Sequence, residues 1–415
     1  MSVLPQNAVV LAFEGPDPYS MVGGLGTRVT ELSAALAVLG TATTLVFVGD
    51  PELPACERPR PNLEYRRWCQ WISAYHPGNV YDGERGKSDD YGASVPPFVV
   101  DAIVEPAARR GEDVLILAED WQTARAAIEI DRLLRERGLR DRATMLWNAN
   151  NTYGFDAMDW HALSNAARIT TVSRYMKFEL QARGVESLVI PNGIPERIVG
   201  GPPEDLVREL ADALARHRPL LVKVGRYDED KRWMQAIEAF ARVRERHPEA
   251  MLVVRGGREA YGQAVFERAR ALGFATEDIS VASREPEALL EALARAQGPI
   301  VNLRTFVPEE LLFALYHVAD AVLANSGKEP FGLVGLEVMA ASGVAVTGSS
   351  GEDYAEPFAN ALVCDTADGR ELAAYLEALI ADPALARALR AAGEATAERF
   401  TWPTVLAMLG RKIAF

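Results

Sequence analysis

Three stretches of this chain carry residue types whose spacing suits a negatively charged ligand that also bears hydroxyl groups. The first is Gly23-Gly24-Leu25-Gly26, placed between an apolar run and an amphipathic stretch. Glycines there let main-chain N–H groups approach a ligand, and a helix N-terminus favours an anion. The same glycines would also serve a tight turn that needs positive φ. The second stretch is Val222 to Arg232, where Arg226 and Lys231 lie around a strand-to-helix loop. Two cations beside a helix start form a diphosphate clamp, Arg binding bidentately and Lys as a point charge. A solvated charged loop has the same composition. The third is Glu329-Pro330-Phe331-Gly332-Leu333-Val334-Gly335-Leu336-Glu337. Its two carboxylates can accept hydrogen bonds from separate hydroxyl pairs, and the amides of Phe331, Gly332, Leu333 and Val334 open a helix between them. Glu337 falls amid Leu336, Val338 and Met339, where a charge is costly without a partner. That favours ligand binding over a helix-starting acid followed by a surface acid.

The elements that must position these residues are legible as short apolar runs with helical stretches between them. One series is Ala8 to Phe13, Thr44 to Val48, Val114 to Leu117, Thr144 to Trp147, Ile169 to Val172 and Ser187 to Ile190. A second is Leu220 to Val224, Ala250 to Val254, Ile279 to Val281, Gly298 to Leu303, Ala321 to Ala324 and Val344 to Thr347. Runs without polar alternation suit parallel strands covered on both faces. The stretch Thr27 to Leu39 is predicted as the first crossover helix, and Leu372 to Ala397 has helical spacing throughout. Thr401 is a plausible helix cap, with Pro403 in the first turn. Between the series, Pro191 to Pro203 is rich in turn residues and suits a hinge. The expected domains are 1–200, 201–398 and a returning helix at 399–415.

Composition narrows the function classes. The chain has 415 residues, and 44 Lys+Arg against 58 Asp+Glu give a net charge of −14. That field repels phosphodiester backbones and anionic headgroups, so nucleic acid is not an expected partner. Three cysteines without CxxC spacing support neither a disulfide framework nor a zinc site. The start lacks the signature of a signal peptide and no apolar run is long enough to span a bilayer, so a cytoplasmic protein is expected. The carboxylate pairs Asp82-Gly83-Glu84 and Glu352-Asp353 are expected in solvated loops.

The glycine stretch, Thr171-Val172-Ser173, Val189-Ile190-Pro191-Asn192-Gly193-Ile194, Gly225-Arg226-Tyr227 through Lys231, and the Glu329-x7-Glu337 run occur in that order over nearly the whole chain. Together they resemble the retaining GT-B glycosyltransferases, closest to the group of glycogen and sucrose synthases. The resemblance implies an α/β fold of two facing Rossmann-like domains with a cleft between them and a C-terminal helix returning to the N-terminal domain. It implies a nucleotide-sugar donor held by the C-terminal domain. Arg226 and Lys231 would bind the diphosphate, Glu337 the ribose, and Glu329 the sugar hydroxyls. The amides of Phe331, Gly332, Leu333 and Val334 would approach sugar or phosphates. Gly23 and Gly24 would lie near the diphosphate, and Arg304, Thr305 and Phe306 near the base.

Two departures concern the acceptor side. Glu119-Asp120-Trp121-Gln122-Thr123-Ala124 is similar to the Asp-Trp-His-Thr-Ala run of glycogen synthases with Gln122 in place of histidine. Asn148 and Asn150 occupy the place where many relatives carry a sugar-contacting histidine. An amide can bind a hydroxyl but cannot exchange a proton near neutral pH. The expected activity is transfer of a hexose, glucose from ADP- or UDP-glucose, to a sugar, glucan or small-molecule acceptor, without metal or other cofactor. A non-catalytic nucleotide-sugar binder and a nucleotide-sugar 2-epimerase are the competing readings.

Overall fold

The structure, a computed structural model, describes residues 4–414. The chain divides into two compact units, one running up to Pro195 and resuming at Thr401, the other Glu196–Phe400. The first unit holds β1 (Asn7–Leu11), β2 (Ala42–Val48), β3 (Cys56–Arg60), β4 (Leu63–Trp68), β5 (Val114–Glu119), β6 (Ala143–Ala149), β7 (Arg168–Thr171) and β8 (Leu188–Val189). They form one sheet in the order β3-β4-β2-β1-β5-β6-β7-β8, parallel except for the β3–β4 pair. The second unit holds β9 (Leu220–Val224), β10 (Met251–Arg255), β11 (Thr276–Ile279), β12 (Ile300–Leu303), β13 (Ala321–Ala324), β14 (Ala345–Thr347) and β15 (Leu362–Val363). Its wholly parallel sheet runs β11-β12-β10-β9-β13-β14-β15.

In each sheet the winding direction reverses beside the first strand, between β1 and β5 and between β9 and β13. Crossover helices then diverge to opposite faces and leave an opening at the carboxyl ends of those strands, where ligands of open α/β sheets bind. The registers Leu11↔Ala118 and Val322↔Val222 fix which loops meet there.

Each unit has its own core. Val10, Leu36, Leu45 and Leu115 pack with Trp402 and Leu406 in the first, and Leu221, Trp233, Phe240, Leu252 and Leu376 pack in the second. The C-terminal helix Trp402–Ile413 therefore belongs to the first core. Its docking explains the Pro191-Asn192-Gly193 turn. A Cβ on Gly193 would stand 2.4 Å from the Trp402 ring, and the main-chain amide of Trp402 donates to the Ile194 carbonyl at 2.9 Å.

Several expectations are corrected. The stretch from Leu372 is two helices, Gly369–Ala381 and Pro383–Ala397, parted by Asp382, whose carboxylate accepts from the amides of Ala384 and Leu385. Thr401 stands at the N-cap of the last helix, but its hydroxyl pairs with that of Thr404 rather than with a main-chain amide. Glu352 is buried, 6% exposed, and Glu84 accepts from the Gln122 amide at 3.0 Å, so neither acid is simply solvated. Among the described residues, no helix is long and apolar enough to cross a membrane.

Candidate functional site

In the second unit the loops after β9 and β13 meet at the reversal point. A buried lysine holds them there. Lys223, on β9, donates through Nζ to the Leu323 carbonyl at 3.0 Å and to Asn325 Oδ1 at 2.6 Å, both at the end of β13. Burial, with Lys231 nearby, lowers its pKa to about 7. Gly327 N–H also donates to the Asp230 carbonyl, at 2.6 Å.

On this frame Arg226 is exposed, and its guanidinium has no partner among the described residues. Its carbonyl accepts from the Trp233 indole at 2.7 Å, which fixes the main chain while leaving the side chain free. Lys231 follows in a one-turn 3₁₀ segment opened by Asp228, whose side chain accepts from the Asp230 amide. The Lys231 ammonium pairs with the Glu329 carboxylate, which brings together two residues that sequence spacing assigned to different parts of a ligand.

Gly332 caps helix Leu333–Ala340 with φ +78°, a conformation glycine accepts at little cost. Leu333 and Val334 supply first-turn amides, which have no intrahelical acceptor. Phe331 is buried, its ring 5.6 Å from that of Tyr354, so it contributes main chain and packing rather than an exposed face. Glu337, one turn into the helix, has no hydrogen-bond or ion-pair partner among the described residues. Burial, with Glu309 nearby, pushes its pKa up to about 7.

A groove of about 1840 Å³ adjoins, lined by Tyr227, Arg255, Glu259, Arg304 and Phe306 among others. Arg304 and Thr305 do not offer free side chains to it. The Arg304 guanidinium pairs with Asp278 at 3.1 Å, and the Thr305 hydroxyl donates to the Val281 carbonyl at 2.8 Å. The half-exposed ring of Phe306 is the open face of that loop.

In the first unit the glycine stretch has an internal occupant. Glu14 Oε2 accepts from the amides of Gly23 at 2.9 Å, Gly26 at 3.0 Å and Val22 at 3.3 Å, and Oε1 accepts from the Tyr81 hydroxyl. The Gly23 amide expected to approach a ligand is therefore taken by a carboxylate of the chain itself, while the backbone of Gly24 remains exposed.

Across the reversal point Asp120 is 4% exposed at φ +63°, ψ 172°, a strained conformation for a residue with a Cβ. It accepts from the Asn150 amide at 2.9 Å and the Asn151 side chain at 2.8 Å, and burial, with Glu119 adjoining, raises its pKa to about 7. The Asn148 and Asn150 side chains donate to Glu119 at 3.0 and 2.7 Å, and Arg28 binds the same carboxylate with Nε and Nη2. Arg28 reaches Asn192 as well. Gln122 gives its amide to Glu84 and leaves Oε1 without a partner among the described residues. Asp120, Asn148 and Asn150 are thus assembled in a buried network centred on Glu119, while Gln122 turns instead to Glu84.

Sequence reasoning missed Glu14, Arg28, Glu119, Lys223 and Glu352. An acid closing an apolar run marks Glu14 and Glu119 as positions, but their partners come only from the fold.

Residues 210–396 match the family described as glycosyl transferases group 1. The chain is 31% identical to a glycogen synthase of Mycobacterium tuberculosis, over 94% of this chain and 90% of that protein. The chain belongs to the group 1 glycosyl transferases. Among solved structures, a sucrose-phosphate synthase from Thermosynechococcus elongatus is similar with TM-score 0.69 at 21% identity, covering 98% of each chain. An E. coli trehalose-6-phosphate protein bound with UDP-2-fluoro glucose gives TM-score 0.67 at 15% identity, again over 98% of each. The two parallel-sheet units of this transferase therefore have the GT-B fold.

Proposed function

We propose that this transferase moves a hexose, glucose in the first instance, from a nucleoside-diphosphate sugar to a hydroxyl of a sugar, glucan or small-molecule acceptor, with retention of anomeric configuration and without a metal ion. The observation that carries the reading is the convergence at one sheet edge of the Lys231–Glu329 pair, the first-turn amides after Gly332, and the Arg226 guanidinium and Glu337 carboxyl, both without a partner among the described residues. Arg226 and Lys231 stabilise the charge that grows on the departing diphosphate, and Glu329 exchanges its ammonium partner for sugar hydroxyls. Glu337 binds the ribose, and Phe306 with the adjoining groove takes the base. The departing phosphate oxygen removes the acceptor proton as the hydroxyl approaches from the same face, so no protein nucleophile is needed. Fixed cations and helix amides supply the positive field that a divalent ion would otherwise provide. The glycogen synthase likeness supports glucose and a glucan acceptor, and the E. coli structure, bound with UDP-2-fluoro glucose, supports a uridine donor.

The test is incubation with a panel of nucleotide sugars and acceptors in the presence of a chelator, with the product's anomeric configuration read by NMR. Transfer, or slow donor hydrolysis without acceptor, with retained configuration is expected. Thermal shifts without turnover would support a non-catalytic binder, and release of a rearranged sugar would support the epimerase.

A further inference from the structure

The loop after β14 carries an acid that the donor site just described does not use. Glu352 is 6% exposed, and its Oε1 is fully buried without a hydrogen-bond partner among the described residues. Oε2 accepts from the Ser350 amide at 3.2 Å and lies 3.5 Å from the Ser350 hydroxyl. That hydroxyl accepts from the main-chain amide of Glu329 at 2.8 Å. Glu352 is therefore two hydrogen bonds from the backbone of the residue whose carboxylate pairs with Lys231.

Glycines close the arrangement. A Cβ on Gly332 would come 2.6 Å from Glu352 Cγ and 3.3 Å from Glu329 Cγ, so both acids press on the cap of helix Leu333–Ala340. A Cβ on Gly351 would stand 2.1 Å from the Glu329 carbonyl. The Tyr354 hydroxyl donates to the Gly332 carbonyl. The groups that face Glu352 are Glu329 and Lys231 from the other loops and Tyr354 from its own. Burial first, then the Glu329 charge, pushes its pKa up to about 8 against a smaller opposing pull from Lys231. A second full charge beside Glu329 adds like-charge repulsion to the cost of burial, so a neutral acid suits the place better than a carboxylate.

We propose that Glu352 is a positioning residue for donor turnover: a buried acid that, through Ser350, holds the Glu329 backbone and thereby the carboxylate–ammonium pair at the start of helix Leu333–Ala340. The inference rests on the donor site proposed above. It adds a consequence that site does not have by itself, an alkaline limit on turnover set by ionisation of Glu352 rather than of Lys231 or Arg226.

The test compares wild type with Glu352→Ala, Glu352→Gln and Ser350→Ala, each shown to be folded by its melting profile. Donor kcat and KM are measured from pH 6 to 9.5, and nucleoside diphosphate affinity by calorimetry. Displacing the Glu329 pair should lower kcat of Glu352→Ala by about tenfold or more. Diphosphate affinity should change little, because Arg226 is untouched. Ser350→Ala should show part of the same loss. Glu352→Gln, an uncharged isostere, should recover most of it and remove the wild-type fall in kcat above about pH 8. The proposal is overturned if Glu352→Gln loses as much as Glu352→Ala at neutral pH, if the alkaline fall persists in Glu352→Gln, or if Glu352→Ala and Ser350→Ala both turn over normally. Wild type that neither turns over nor binds any nucleotide sugar refutes the donor site itself, and this inference falls with it.

Discussion

Arg226 and Lys231 differ in how the free protein treats them, and that difference orders their effects. Arg226 has no partner among the described residues to leave behind, so Arg226→Ala removes only what the guanidinium gives to the departing diphosphate. Loss of such preorganised charge stabilisation costs about 10²–10³ in rate, with folding intact, as kcat and a melting curve will show. Lys231→Ala should lower kcat by a similar factor and additionally raise donor KM, because it leaves Glu329 half-buried without its cation. Near-normal turnover in either variant would remove the diphosphate assignment. Glu337→Ala tests the ribose contact. A hydrogen bond to such a group is worth about 1.5–3 kcal/mol, so calorimetry should find nucleoside diphosphate bound roughly 10- to 100-fold more weakly, and unchanged affinity would place the ribose elsewhere. These residues were legible because their types and spacing announce chemistry within one short stretch. Glu14 and Glu119 were not, since what each does depends on a partner brought by the fold: Glu119 meets Arg28 across 91 positions, and Glu14 meets the Gly26 amide across 12.

At the level of elements, the apolar runs gave away most of the buried parallel strands because a strand covered on both faces has no polar alternation to disguise it. However, β11 lies at Thr276–Ile279 rather than at the expected Ile279 to Val281, and the two-residue β15 is too short to show as a run. The antiparallel edge pair escaped for the opposite reason. Every residue of β3, Cys-Glu-Arg-Pro-Arg, is exposed, and β4 carries Glu64, Arg66 and Arg67 among its six residues, so charge conceals the pattern there. Charge and proline on an edge also discourage pairing with another chain. The Pro191-Asn192-Gly193 turn was legible as a turn, whereas its role in seating the last helix was visible only once Trp402 lay against Gly193. Gly193→Ala forces a methyl into that ring, so urea denaturation should find the protein destabilised by about 1–3 kcal/mol. The donor contacts proposed above, the Gly24 main chain apart, come from the other unit, so nucleoside diphosphate affinity of the folded variant should match wild type. Undiminished stability would mean that the C-terminal helix is not held by this contact.

For the whole molecule, the net charge of −14 was readable from composition, but not which acids forgo their charge. Burial raises the pKa of Asp120 and Glu337 to about 7 and of Glu352 to about 8, so near pH 6 the native state holds three protons that the unfolded chain has released. Stability falls with pH wherever the native state binds the more protons, and each raised carboxyl costs about 1.4 kcal/mol per pKa unit of its shift, accumulated between its ordinary pKa and its native one. His217, lowered by burial, opposes this with a single proton below its ordinary range. Above pH 7 the lowered pKa of Lys223 acts in the stabilising direction, since the unfolded lysine then binds a proton that the native one lacks. The buried thiols of Cys69 and Cys364, both raised, resume the decline once free thiols begin to ionise. Thermal midpoints should therefore fall from about pH 5 to 8, level off to about pH 9 and fall again, a profile differential scanning calorimetry resolves. Glu352→Gln should flatten the first fall by the share of one carboxyl and leave the later one alone. A midpoint that rises steadily from pH 5 to 8 would mean that these acids are ionised in the native state, and the carboxyl of Glu337, without a partner among the described residues, could then not persist where the structure puts it.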